Sequence, residues 1–404
     1  MSTTLRSNRN NTVSDQTPYR WSILALVWLL YLSHGVVQRS ASPLVTPILN
    51  DLNMSYGQMG FVLGSWQLTY LIVALMAGYI LDCWGVKKSL FFGTVIISLS
   101  AALRYFAQGF GSFLLMVVLF GIGGSLISIG APKAISLWFS GKERGTAVGI
   151  YSTGPKIGQM FVLGATNGIV MPLTGNSWRL TFVFYGLFAF GTAMLWWFFA
   201  KDASETDISG GFSINRVVRR LLKIHNVRII LIAGLLSLTL SHGFIGWLPK
   251  LLENSGLSPK IAGIYSALPF FSTIPAVLII PRTTPHHLRS RMIALMALLA
   301  STAIILVATL KVPLMLILLL YGIAGSSLTP LMVLILMETP KVGSEYMGAA
   351  VGMLFCISEI GGFVGPYIVG VLVDLTGSFL AGSTFLSLSG CAIVALMFLI
   401  KKDN

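Results

Sequence analysis

The chain contains one short stretch twice: Gly145-Thr-Ala-Val-Gly149 returns 203 residues later as Gly348-Ala-Ala-Val-Gly352. The residues that follow keep the same offset, because Ile157-Gly158 corresponds to Ile360-Gly361. This register indicates that the second half of the chain repeats the first.

A second repeated stretch supports the duplication. Leu32-Ser-His-Gly35 recurs as Leu240-Ser-His-Gly243, at an offset of 208. One four-residue match could arise by chance, but two matches with nearly equal offsets indicate a duplicated unit. Internal repeats are found in many secondary transporters.

The composition indicates that this duplicated unit lies in a membrane. Of 404 residues, 55% are hydrophobic and only 10% are charged, and the mean hydropathy is +0.83. Soluble proteins carry charge at about a quarter of their positions. Roughly 222 apolar residues would supply about eleven or twelve membrane spans of about 20 residues each. The net charge of +14 is spread over loops, so we expect no nucleic-acid-binding domain.

Turn residues and charges divide the apolar sequence into twelve predicted spans. Because six helices return the chain to its starting side, the two copies would be parallel repeats. The predicted fold is an all-α membrane protein with two six-helix bundles. The spans are 21–47, 58–81, 88–107, 112–139, 145–172, 178–200, 229–251, 260–281, 292–310, 313–337, 348–372 and 380–400.

Polar segments flank and connect the predicted bundles, which occupy residues 21–200 and 229–400. We expect an N-terminal tail over 1–20, a linker over 201–228 and a short C-terminus over 401–404. Nineteen of the 27 Lys and Arg residues fall on the side of both termini and five on the opposite side. Basic residues are retained in the cytoplasm during insertion, so both termini are predicted to be cytoplasmic, in an inner-membrane protein.

The loop after the second predicted span carries a recognisable motif. It reads Gly78-Tyr-Ile-Leu-Asp82-Cys-Trp-Gly85-Val-Lys87-Lys88, which resembles the Gly-x-x-x-Asp-x-x-Gly-x-Arg/Lys-Arg/Lys signature of the major facilitator superfamily. The resemblance implies the major facilitator fold. It also implies that this loop, together with Arg144, braces the two halves during the transport cycle.

Within that superfamily the chain is similar to the anion:cation symporters, which carry sugar acids and other organic anions. The acid that usually precedes the arginine of the first helix is Gln38 here, and two charged residues of the fourth helix are replaced by Val117 and Gly124. The resemblance therefore implies anion binding more directly than a coupling mechanism. The matching features are Arg39, Tyr70, Trp138-Phe139, Glu143-Arg144-Gly145, Trp178-Arg179 and Asp374-Leu-Thr-Gly377.

Polar residues of the first span share one helical face. Tyr31, His34, Gly35, Gln38 and Arg39 follow the spacing of a single stripe, which is unsuited to lipid. A guanidinium offers a carboxylate two parallel donors, so Arg39 is the leading candidate for binding an anion. The alternative is a structural polar face between helices.

A base and an acid occupy equivalent positions in the two repeats. Lys156 and Glu359 each follow the repeated glycine by eleven residues, about 16 Å along a helix, which places both near the centre of the bilayer. Charged residues at that depth usually serve transport. Glu359 is the predicted proton carrier and Lys156 a predicted substrate ligand, but a salt bridge across the cavity or a fixed buried ion pair would explain them too.

The remaining predicted substrate ligands are weaker candidates. Lys133 could instead reach the cytoplasmic side through its long side chain. His34 and His242 occupy equivalent positions and could bind or relay a proton, but two histidines alone do not make a metal site. We expect no metal, cofactor or disulfide framework. The set is completed by Tyr70 and Trp247.

Three embedded cations against one embedded acid predict an anionic cargo. We therefore expect a secondary transporter of a small organic anion, working as a monomer by alternating access with a co-transported proton. A proton-coupled exporter of drugs or metabolites is the first alternative, and a non-transporting membrane sensor is the second. Enzymatic activity is not expected, because the sequence contains no phosphate-binding loop or convergent catalytic set.

Overall fold

A computed structural model describes residues 18–201, 214–309, 313–339 and 341–401. The described residues form helices and turns only, which confirms the predicted all-α class. Most of the predicted tail, part of the linker and most of the C-terminus lie outside the described residues. Twelve long helices follow in chain order: α1 Tyr19–Arg39, α2 Tyr56–Trp84, α3 Val86–Leu103, α4 Phe110–Trp138, α5 Gly141–Ala165, α6 Trp178–Phe199, α7 His225–Asn254, α8 Pro259–Thr283, α9 Arg289–Thr309, α10 Leu314–Glu338, α11 Gly343–Thr376 and α12 Phe379–Phe398.

The predicted number of twelve spans is not confirmed by length and composition. Ten helical segments of the described chain are long and apolar enough to cross a membrane, and α2 makes eleven if its two parts count as one span. Helix α5 falls short because Lys156, Gln159 and several Gly, Ser and Thr residues lie within its span. Lys156, a predicted substrate ligand, is one of the residues that lower the mean hydropathy of this helix.

Local signals explain where several helices begin and end. Ser55 caps α2 in a reciprocal arrangement with Gln58, and Ser258 accepts a hydrogen bond from the backbone of Ile261 at the start of α8. Gly85, with φ of 78°, permits the sharp turn between α2 and α3. The predicted first span, 21–47, instead divides into α1, a turn that contains Pro43 and a short helix over Val45–Leu52.

Glycines bring helices of each half into close contact. A Cβ at Gly158 of α5 would collide with the Leu32 carbonyl oxygen of α1, and a Cβ at Gly361 of α11 would collide with the Leu235 carbonyl oxygen of α7. The repeat-equivalent positions therefore make equivalent packing contacts. Small residues at such positions allow helix backbones to approach closely.

Contacts between the halves are concentrated at one end of the molecule, which we call the Asp374 end. Helix α2 packs on α11 there, and the Asp374 carboxylate accepts hydrogen bonds from the backbone N–H groups of Tyr56 (2.9 Å) and Gly57 (2.7 Å). Thr46 Oγ1 donates to Glu253 Oε2 at 2.5 Å. This end of the molecule is closed.

The opposite end, which we call the Asp82 end, is open between the halves. A Cβ at Gly78, Gly145, Gly149, Gly348 or Gly352 would meet no atom within 4 Å. The ion pairs described at this end join residues of the same half, namely Asp82–Lys133, Glu143–Arg20 and Glu338–Arg289. Helices α5 and α11 thus pack closely over one part of their length and face open space over the other.

Candidate functional site

A cavity of about 230 Å³ lies between the halves, and both contribute to its lining. Arg39 comes from α1, and Lys156 and Gln159 come from α5. Among the described residues, the lining contains these two cations and no Asp or Glu. The second half supplies mainly hydroxyl and aromatic groups, among them Ser237, Ser241, His242, Phe270, Thr273, Tyr321, Ser326 and Thr329.

Arg39 is the last residue of α1, immediately before the turn at Pro43, rather than a residue midway along that helix. Its residue surface is 7% exposed and its Nε atom has no hydrogen-bond partner. No ion pair of Arg39 is found among the described residues. A buried guanidinium with unused donors is suited to an anion that enters the cavity.

Lys156 and Glu359 do not form the salt bridge considered from the sequence. Within the described part of the chain neither residue belongs to an ion pair, so a fixed buried pair is not present in this conformation. Lys156 is exposed to the open cavity, and the Oε2 atom of Glu359 is buried without a partner. Glu359 instead interacts electrostatically with Arg39. The acid lies beside the cationic site without neutralising it by direct contact.

His242 connects the cavity to a contact between the halves. Its Nδ1 atom is 2.6 Å from Nε2 of Gln67 in α2, and the same amide donates to the Gly362 carbonyl oxygen of α11 at 3.1 Å. Gln67 is fully buried. Sequence reasoning missed Gln67, although an amide in the middle of an apolar span is a detectable signal because burying it requires hydrogen-bond partners.

Tyr321 was not predicted either, because an uncharged aromatic residue in an apolar helix gives no distinct sequence signal. It is 3% exposed, its ring packs on Phe244 at a centroid distance of 4.5 Å, and its hydroxyl has no partner although it lines the cavity. Ser237 and Ser241, one helical turn apart on α7, add further hydroxyls. The apolar helices α7 and α10 therefore give the cavity much of its hydrogen-bonding capacity.

The other residues of the predicted α1 stripe pack around the cavity. Tyr31 donates to the Ser128 carbonyl oxygen at 3.3 Å, and its ring stacks on His34. His34 is buried against Phe120, with its Nδ1 unpartnered. The side chain of Gln38 hydrogen-bonds Gln159, which lines the cavity. Of the stripe, Arg39 lines the cavity and Gln38 contacts a lining residue, whereas Tyr31 and His34 lie at contacts between helices.

Two further predicted ligands, Lys133 and Trp247, lie outside this cavity, and a third, Tyr70, lies near Glu359. Nζ of Lys133 is 2.8 Å from Asp82 Oδ1, at the Asp82 end. Trp247 is 1% exposed and donates from Nε1 to the Pro366 carbonyl oxygen at 2.9 Å. Neither residue lines this cavity. Tyr70 is half-buried and interacts electrostatically with Glu359.

The motif loop lies at the open end and its contacts stay within the first half. Asp82 pairs with Lys133, as described above. Lys87 lies over the ring of Trp197 at 5.7 Å, and Arg144 donates to the carbonyl oxygens of Ser136 (2.7 Å) and Phe139 (3.1 Å). Gly78 faces open space, Gly85 forms the turn and Lys88 lines a surface pocket at that turn.

Known proteins match this chain over nearly its whole length. It is 26% identical to a hexuronate transporter of Bacillus subtilis (strain 168), covering 94% of each chain. It is 25% identical to a quinolone resistance transporter of Acinetobacter baumannii, covering 84% of this chain and 83% of the relative. A solved bacterial homologue of the human lysosomal transporter Spinster, in an inward-facing and unoccupied conformation, has a similar fold with a TM-score of 0.74 at 18% identity, covering 95% of both chains.

The sequence pattern of the Major Facilitator Superfamily matches residues 27–366. The motif loop, the duplicated helices and the fold agree with that match. The chain belongs to the Major Facilitator Superfamily.

Proposed function

We propose that the protein is a secondary transporter of a small organic anion that carries a carboxylate. The observation that supports this most directly is the cavity lining, in which the described residues include Arg39 and Lys156 and no Asp or Glu. A cavity with fixed positive charge attracts anions and repels cations. Arg39 provides the two-donor geometry that matches a carboxylate, and Lys156 adds a second positive charge.

The substrate we propose is hydroxylated as well as acidic. Tyr321, Ser237, Ser241 and Gln159 offer hydroxyl and amide groups around the two cations. Buried groups of this kind select ligands that hydrogen-bond to them, because an analogue without the hydroxyls leaves them unpaired. A sugar acid has this chemistry, and the B. subtilis relative is a hexuronate transporter.

Transport would proceed by alternating access between the halves, taken as residues 21–200 and 229–400. If both termini lie in the cytoplasm, as the distribution of Lys and Arg favours, the Asp82 end faces inward and this conformation would be the inward-open state of an inner-membrane protein. Closing the gap beside Gly149 and Gly352 while breaking the Asp374 contacts would expose the cavity to the other side. One chain contains the whole pathway, so we propose a functional monomer without enzymatic activity.

Glu359 is the proposed proton carrier. Its buried, unpartnered oxygen lies in the field of Arg39, where binding an anionic substrate would change the balance between the protonated and ionised forms. The bound substrate and the proton on Glu359 would then influence each other through the charge of Arg39, which is a sufficient basis for symport.

Export of a drug is the second candidate, and the resistance transporter of A. baumannii favours it. The two proposals differ in the charge of the substrate that the cavity would bind. A cationic compound would have to enter a cavity lined by two cations.

Uptake of radiolabelled glucuronate into proteoliposomes, with and without an inward pH gradient, tests the proposal. We expect saturable uptake that the gradient stimulates and that unlabelled sugar acids inhibit. A control compares inhibition by an uncharged sugar of the same size. Uptake of cationic compounds without uptake of any tested carboxylate would contradict the proposal and support export of cations.

A further inference from the structure

A second pocket, separate from the central cavity, lies at the turn between α2 and α3. Its volume is about 250 Å³. The residues around it form a basic and aromatic site, which we call the turn pocket. Its polar and aromatic lining comprises Asp82, Trp84, Lys87, Lys88, Trp138, Trp196 and Lys201.

The turn pocket carries excess positive charge. In the part of the chain that the structure describes, Lys87, Lys88 and Lys201 line it together with one acid, Asp82, which is paired with Lys133 at 2.8 Å. Asp82 is therefore partly neutralised by a residue from outside the lining. The three lysines dominate the field inside the pocket, so its ligand should be an anion.

Backbone groups add to this preference. Gly85 precedes α3 and provides no side-chain cap, so the first N–H groups of the helix have no capping partner. The Ser89 N–H is bonded to the Gly85 carbonyl oxygen, and the Trp196 indole holds the Lys87 carbonyl oxygen at 2.9 Å. These hydrogen bonds fix the turn. The lysine side chains therefore lie beside the N-terminus of α3, the positive end of an 18-residue helix, and this arrangement suits a phosphate.

Exposed tryptophans at and beside the pocket favour a location at the depth of lipid headgroups. Trp84 is 53% exposed and Trp197 is 37% exposed, although both are large apolar side chains. Tryptophan is enriched where the hydrocarbon of a membrane meets water. The Lys201 ammonium lies 4.3 Å from the centroid of the Tyr19 ring, so this lysine extends from the end of α6 to the start of α1.

We propose that the turn pocket binds the anionic phosphate group of an acidic phospholipid headgroup. The three lysines would contact the phosphate, and the tryptophans would lie beside the adjoining acyl-chain region. This ligand differs from the transported anion in both location and source. Basic pockets between membrane helices on the cytoplasmic side are known to suit such headgroups.

Native mass spectrometry of the full-length protein in detergent, titrated with phosphatidylglycerol or phosphatidylcholine, tests the proposal. The test variant combines Lys87→Gln, Lys88→Gln and Lys201→Gln. The control combines Arg282→Gln, Arg291→Gln and Lys341→Gln, which remove the same charge at exposed positions of the other half, on the side of the membrane where the turn pocket is predicted. Thermal unfolding checks that each variant folds, and Lys201→Gln alone replaces the triple variant if that one does not.

We expect phosphatidylglycerol to bind more tightly than phosphatidylcholine, with affinity falling at least about tenfold in the test variant and little in the control. Inorganic phosphate added as a competitor distinguishes a lipid headgroup from free phosphate as the ligand. Displacement of the lipid would show that the site also accepts free phosphate, and lack of displacement would show that it requires the lipid. Equal losses in the two triple variants, or equal binding of both lipids by the parent, would overturn the proposal. Glucuronate binding by the test variant in detergent, which requires no transport step, distinguishes this result from failure of the central site.

Discussion

Arg39 and Lys156 give the central cavity its charge, but they provide it in different forms. Arg39 is a planar guanidinium nearly buried at the end of α1, whereas Lys156 is a flexible point charge exposed to the cavity. The arginine is therefore suited to orient a carboxylate, and the lysine to increase attraction without fixing orientation.

Arg39→Ala should abolish specific binding of glucuronate, and Arg39→Lys should restore only part of it, because charge returns without the two-donor geometry. Loss of a buried charged hydrogen-bonding partner costs about 2–5 kcal/mol, so the affinity of the alanine variant should fall at least about 30-fold. Titration calorimetry of the purified variants measures this. Parent-like affinity in the alanine variant would show that Arg39 has a structural role only.

Glu359→Gln should remove stimulation of uptake by a pH gradient, while exchange of glucuronate at equal pH remains measurable. The amide has the shape of the acid but carries no titratable proton, and exchange needs no net proton movement. The two assays can be run on the same proteoliposomes, with Glu143→Gln at the protein surface as control. If the gradient still stimulates the Glu359 variant fully, the proton follows another route, and His242 is the next residue to test.

At the scale of elements, α5 and α11 each combine a tightly packed part with an unpacked part. Gly158 and Gly361 contact the neighbouring backbone, but Gly149 and Gly352 face open space in the state described. The same small-residue spacing thus serves permanent packing near Gly158 and Gly361, and a surface that moves during transport near Gly149 and Gly352.

Gly158→Ala should destabilise the protein by about 1–3 kcal/mol, since the new methyl group would collide with the Leu32 carbonyl oxygen. Gly149→Ala is the matched control on the same helix. It should be neutral or stabilising by up to about 1 kcal/mol, because alanine favours helix and nothing lies nearby. Thermal unfolding in detergent compares them, and equal melting temperatures would contradict the packing described for α5.

The ion pair between α2 and α4 should affect the rate of transport more than substrate affinity. Asp82→Asn and Lys133→Gln should each slow uptake, and the double variant should be little slower than either, because both lose the same contact. The Asp82 side chain is 73% exposed, so the pair stabilises the resting state by at most about 1 kcal/mol. A large rise in the substrate KM with unchanged maximal rate would instead place Lys133 at the substrate.

At the scale of the whole molecule, the closed Asp374 end and the open Asp82 end define one state of a two-state cycle. The closed end is held by close packing of α2 on α11, where Gly60 and Gly64 approach the α11 backbone, and by the Asp374 carboxylate, which accepts two backbone N–H groups at the start of α2. Such contacts can be broken without unfolding either half, whereas the glycine contacts within a half persist.

Asp374→Asn should shift the population toward opening of the Asp374 end. Losing the charge beside the positive end of α2 costs about 1–2 kcal/mol, or a change of roughly tenfold in the conformational equilibrium. Spin labels at Gln108→Cys and Asn254→Cys, with the native cysteines replaced by serine, would report the distance across this end. An unchanged distance distribution would mean that other contacts hold the end closed.

Sequence by itself determined the features that depend on local composition and on repetition. Apolar runs predict helices because every backbone polar group in a bilayer must be satisfied internally, and the duplicated glycine stretch predicts two similar halves. Arg39 and Lys156 were identifiable from the cost of burying a charge. The motif around Asp82 and Gly85 identified the family.

Only the tertiary structure decided which of these groups meet. Tyr321 and Gln67 are ordinary residues of apolar helices until α7, α10 and α2 bring them to the cavity or its edge. Lys133 was a plausible ligand by depth, but the packing of α4 against α2 directs it to Asp82. Helical periodicity specifies the face on which a residue lies, but the neighbour of that face depends on long-range packing and on the state of the transport cycle.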